Sequence, residues 1–63
     1  MIYDEEIYGY NVLKNAIDDL FEFGFTEEQV CDLRIRVQEG WNKGYLSDDD
    51  REELLSYLDS LEK

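Results

Sequence analysis

Two glycine-containing breaks, each followed by a helix-start signal, leave this chain few ways to fold. The first is Phe23-Gly24-Phe25-Thr26 and the second is Lys43-Gly44-Tyr45-Leu46-Ser47. Gly24 suits the left-handed position just past a helix end, from which Phe25 would fold back toward Leu20. Thr26 opens Thr26-Glu27-Glu28-Gln29, a capping box in which hydroxyl and amide satisfy each other's backbone N–H groups. Ser47 is the next N-cap. Asp48, Asp49 and Asp50 follow it in the first turn, where negative charge meets the positive end of the helix dipole. The punctuation predicts three helices, over about residues 5–23, 27–42 and 48–62.

Apolar spacing agrees with helices rather than strands. In the first helix Tyr3, Tyr10, Leu13, Ile17, Leu20 and Phe21 share a face, with Ile7 at its edge. The second presents Val30, Leu33, Val37 and Trp41, and the third Leu54, Leu55, Leu58 and Leu61. Gly9 weakens the first helix by about 1 kcal/mol relative to Ala, so its opening turns are expected to fray, with firm helix from near Asn11. Short connections fold successive helices back on one another. The expected fold is all-α, a compact three-helix bundle with short Gly-containing turns, and residues 1–63 form a single acidic domain. At this size only about 60% of the unfolded chain's surface is buried, which leaves little stability in reserve.

Composition argues against catalysis. The chain has 63 residues, no His and one Cys, so the commonest general base is missing and Cys31 has no imidazole partner to activate it. A general acid needs a desolvated pocket, for which a bundle this small has little interior. No enzyme and no catalytic residue are expected, and Cys31 reads as a small, half-buried apolar residue. A metal site is the next candidate, because Asp48, Asp49, Asp50, Glu52 and Glu53 offer many hard oxygens. With Glu53 at position twelve of a calcium loop, positions three and five fall on Gly44 and Leu46, and the central Gly is missing. The pattern fails, cap and dipole chemistry accounts for the aspartates, and no metal or other cofactor is expected. No apolar run approaches the roughly 20 residues of a membrane span. The acidic N-terminus lacks a signal peptide's basic region, and a lone thiol suits a reducing compartment, so a cytoplasmic protein is expected.

Charge is the strongest functional signal. Seventeen Asp and Glu stand against six Lys and Arg, for a net charge of −11. Direct nucleic-acid binding is disfavoured, because phosphates would be repelled. Residues 1–25 hold six acids and one base, residues 26–43 four acids and three bases, and residues 44–63 seven acids and two bases. The excess therefore sits on the first and third helices. Self-repulsion on this scale destabilises a small fold. Solubility is the plain reason for tolerating it, and a partner with a basic groove is the sharper one. Carboxylates spaced along a helix can imitate a row of phosphates. The candidate partner-binding residues are Asp48, Asp49, Asp50, Glu52 and Glu53, with Asp18, Asp19 and Glu22. Tyr45 or Tyr57 would serve as an aromatic anchor inside the charged rim. Tyr8, Val12 and Ile35 also fall off the core stripes. Trp41 lies on the core face and reads as a plug, with an anchor role as the other reading.

The stretch Gly40-Trp41-Asn42-Lys43-Gly44-Tyr45, running into Asp48-Asp49-Asp50-Arg51-Glu52-Glu53, resembles a segment of a small acidic phage-encoded anti-CRISPR inhibitor of Cas9. It covers about 14 of the 63 residues. The resemblance implies imitation of DNA at the site where Arg side chains of a Cas nuclease read guanines. That inhibitor contains a small sheet, whereas no strand is expected here. The reading is of an acidic inhibitor that occupies a basic nucleic-acid-binding surface of a partner protein, of the phage or mobile-element anti-defence type. The alternative is a small regulatory or structural adaptor that binds a partner helix, or self-associates, through its apolar surface residues. The sequence leaves the oligomeric state open.

Overall fold

The architecture follows from where the caps and breaks fall. A computed structural model of the chain describes residues 5–62, in which α1 spans Glu5–Tyr8, α2 Tyr10–Phe23, α3 Glu27–Asn42 and α4 Asp48–Leu61. The result is a three-helix bundle whose first predicted helix is broken into α1 and α2. The break lies at Gly9, whose backbone is extended (φ −68°, ψ 152°) and whose carbonyl starts α2 by accepting from the Leu13 N–H. The expected weak point is therefore a joint, and α2 begins at Tyr10, next to the expected Asn11. Tyr3 lies outside the described residues.

Both predicted capping boxes form. The Thr26 hydroxyl accepts from the Gln29 N–H at 3.2 Å while Gln29 Oε1 accepts from the Thr26 N–H at 2.8 Å. Ser47 accepts from the Asp50 N–H at 3.1 Å, and Asp50 returns the bond to the Ser47 N–H at 3.3 Å. The two glycines end their helices differently. At Gly44 (φ 89°) the N–H groups of Gly44 and Tyr45 bond back to the Trp41 and Gly40 carbonyls, the Schellman pattern. At Gly24, φ is 98° but ψ is 168°, a region essentially reserved for glycine. The chain there leads outward, so Phe25 stays 41% exposed instead of folding back toward Leu20.

The core comprises Leu13, Ile17 and Leu20 from α2, Val30, Leu33 and Val37 from α3, Leu54, Leu58 and Leu61 from α4, and Leu46 from the α3–α4 turn. Tyr10, Ala16, Trp41, Leu55 and Tyr57 pack against its edge. Phe21 is the exception among the predicted core residues, at 46% exposed. Gly40 is buried because α1 lies on it: an added Cβ would stand 2.9 Å from the Tyr8 carbonyl oxygen and 3.1 Å from Leu46 Cδ1. Tyr10 meets Glu53 in the first halves of α2 and α4, while Asp18 and Phe21 meet Tyr57 in their second halves, so these helices run parallel, with α3 antiparallel between the connections. The Cα radius of gyration is 11.0 Å, matching the roughly 11 Å of a compact domain of this length. Among the described residues no helix is long and apolar enough to cross a membrane.

Candidate functional site

The acidic run opens α4, and the fold uses part of it. Asp50 belongs to the capping box. Asp48 accepts from the Trp41 indole N–H at 2.7 Å, and the Arg51 guanidinium lies 4.4 Å from the centre of the same ring. Trp41 is thus held at its edge and on its face, half-buried against the edge of the core, in the plug role. Asp49 and Glu52 project into solvent with no ion pair among the described residues. Glu53 turns toward α2 and accepts a hydrogen bond from the Tyr10 hydroxyl.

On α2, Asp18 accepts from the Tyr57 hydroxyl, and the Phe21 ring stacks on Tyr57 at 4.8 Å between centroids. That hydrogen bond holds the Tyr57 hydroxyl above its ordinary value of 10.0, with smaller contributions from burial and from the Asp18 charge. Tyr57 accordingly ties α4 to α2. Tyr45, 39% exposed and stacked nearly parallel to Tyr8 with centroids 6.5 Å apart, is the more accessible of the two predicted anchors. Asp19 and Glu22 are exposed, without ion pairs among the described residues. Spacing on α2 places Glu22 one turn beyond Asp18, on the outer side opposite the Leu13–Ile17–Leu20 stripe, with Asp19 beside it on the side away from α4. The predicted acidic set is therefore divided: Asp18, Asp48, Asp50 and Glu53 are bonded within the fold, and Asp19, Glu22, Asp49 and Glu52 are left to solvent.

Each described cation has a local partner. Arg34 on α3 reaches Asp59 at 2.7 Å and Glu62 at 3.4 Å on α4, and Arg36 pairs with Asp32 one turn earlier at 3.2 Å. Lys43 lies 5.6 Å from the Tyr8 ring and Lys14 6.0 Å from the Tyr10 ring. These are exposed pairs of small individual worth, but their placement matters. They draw the positive charge toward α3 and the helix seams and leave the outer sides of α2 and α4 negative. A groove of about 290 Å³ between α2 and α4 is lined by Tyr10, Lys14, Glu53, Leu54 and Tyr57. No group of three or more Cys, Asp or Glu among the described residues converges to hold a metal ion.

Some surface features differ from the sequence reading. Cys31 is exposed rather than half-buried. Val12 and Ile35 lie off the core as expected, 40% and 58% exposed. Tyr8 is half-buried, donating to Glu39 at 2.8 Å, because the Gly9 break re-aims it toward α3. Phe23, 78% exposed, and Phe25 stand at the α2–α3 turn. The sequence signal for them is the Phe-Gly-Phe spacing itself, which by its glycine marks a helix stop. The residues that carry the anti-CRISPR resemblance have roles within this fold: Gly40 admits Tyr8, Trp41 is clamped by Asp48 and Arg51, and Gly44 completes the Schellman turn. Compared with known proteins, the chain matches no protein-family model, no curated protein and no solved structure.

Proposed function

We propose that this chain is a non-catalytic cytoplasmic inhibitor that occupies a basic, nucleic-acid-handling surface of a partner protein by charge mimicry. The observation that carries the reading is the charge layout. The described cations are engaged by local carboxylates or ring faces, while Asp19, Glu22, Asp49 and Glu52 on the outer sides of α2 and α4 remain uncompensated. A partner that normally binds phosphates would gain by pairing its Lys and Arg with these carboxylates. Tyr45 at the α3–α4 turn would supply an aromatic contact at the edge of that surface. A Cas nuclease, or another host defence enzyme met by a phage or mobile element, is the most concrete partner, and that specific form rests on the sequence resemblance.

The test is capture of the partner from host lysate at low and high salt, followed by competition with nucleic acid. Reversing Glu22, Asp49 and Glu52 to Lys leaves both capping boxes and the Trp41–Asp48 bond in place, so the variant should fold and lose binding. Capture should weaken steeply as salt shortens the Debye length to about 3 Å at 1 M, and nucleic acid should displace the protein. Capture that survives high salt and the charge reversal would favour the adaptor reading, for which exposed Val12 and Ile35 provide apolar contacts.

A further inference from the structure

We infer that the α2–α3 turn is a second contact element, an apolar tip that docks into a protein surface whose apolar cleft is bordered by Lys and Arg. The inference rests on the reading of a basic partner and adds where its apolar contact is made. Phe23 and Phe25 are 78% and 41% exposed, and together leave on the order of 200 Å² of aromatic surface in water. Isolated exposed apolar residues are ordinary, but these two flank a single glycine in a turn fixed at both ends. The Gly24 N–H bonds to the Leu20 carbonyl at 3.0 Å, and Thr26 is locked by its capping box. Gly24 takes the φ 98°, ψ 168° conformation that leads Phe25 outward, where a Schellman turn would have returned it to the helix. The tip is therefore presented ready-made, which reduces the ordering cost of binding.

Charge selects the occupant. No Lys or Arg occurs between Lys14 and Arg34, and Glu22, Glu27 and Glu28 flank the two phenylalanines. A two-fold contact with a second copy would set these glutamates against their own copies. An anionic membrane would be repelled in the same way. A protein surface with an apolar cleft and a cationic border meets both features at once, aromatic anchor and acidic rim.

The experiment maps backbone amide shifts of the isotope-labelled full chain on titration with two synthetic peptides: an amphipathic helix of Leu and Lys, and an oligolysine of equal charge. The amphipathic peptide should shift residues 22–28 most and bind more tightly than oligolysine. Phe23→Ser should weaken that peptide at least about tenfold while leaving oligolysine binding unchanged. Phe23→Leu should restore most of the difference. Phe23 lies largely outside the core, so the serine variant should keep the wild-type spectrum elsewhere. Equal affinity for the two peptides, shifts confined to the outer sides of α2 and α4, or concentration-dependent dimerisation abolished by Phe23→Ser would each overturn the inference. Failure of the tip leaves the oligolysine result and the nucleic-acid competition standing. Failure of charge mimicry shows instead as loss of that competition, with the peptide preference intact.

Discussion

Replacing Gly40 with Ala opposes a local gain to a tertiary loss, and the sign of the result decides between them. Within a helix considered alone, Ala is favoured over Gly by about 1 kcal/mol. In this bundle the new methyl group would sit 2.9 Å from the Tyr8 carbonyl oxygen and 3.1 Å from both Tyr8 Cβ and Leu46 Cδ1. Ordinary contacts begin about half an ångström further out. Leu46 is 5% exposed and has little room to retreat, and the Tyr8 oxygen belongs to the backbone. Overpacking of this kind costs about 1–3 kcal/mol. The balance is an expected net loss of about 1 kcal/mol, or about 4–8 °C in melting temperature for a domain this small. Urea titration followed by far-UV circular dichroism measures it, with exposed Gln38→Ala as a control expected within about 0.5 kcal/mol of wild type. The amide resonances of Tyr8, Gly9 and Leu46 should move more than that of Leu58. An alanine variant more stable than wild type, with those resonances unmoved, would refute the close approach of α1 to α3.

Three further outcomes are expected. Leu58→Ala, at a fully buried position, should cost about 2–5 kcal/mol, while Thr26→Ala and Ser47→Ala should each cost about 1 kcal/mol through a lost cap, all measurable by the same titration. Melting temperature should rise by a few degrees between low salt and about 0.3 M NaCl, because screening relieves repulsion among the acids; a fall would mean that the Arg34 and Arg36 pairs outweigh it. The Tyr57 hydroxyl is raised above 10.0 by its bond to Asp18, so above that pH the unfolded chain sheds a proton that the native state keeps, and stability declines as pH rises through the folded value. Ultraviolet titration of wild type against Tyr57→Phe should show the Tyr57 hydroxyl ionising late, and Asp18→Asn should bring it back toward the ordinary range; an unchanged titration would place the cause elsewhere.

The helices and their caps were legible because their causes are local. Thr26 with Gln29 and Ser47 with Asp50 act within one turn, and the Leu13–Ile17–Leu20 and Leu54–Leu58–Leu61 spacings follow from 3.6 residues per turn. Gly9 was visible as a weak point by its conformational cost alone, but its extended conformation follows from the way α1 settles over Gly40. The uneven charge was also plain in the order of residues. Which acids remain available was not, because the tyrosine bonds to Asp18 and Glu53 span 39 and 43 residues of sequence. The burial of Leu46 and Gly40 and the tethering of Tyr57 likewise depend on which surfaces meet once three helices have packed, while the outward turn of Phe25 depends on the backbone conformation that Gly24 takes in the structure. Periodicity assigns a residue to a face of its own helix. Only the packed structure decides what that face meets, and hence which carboxylates and which phenylalanines stay exposed.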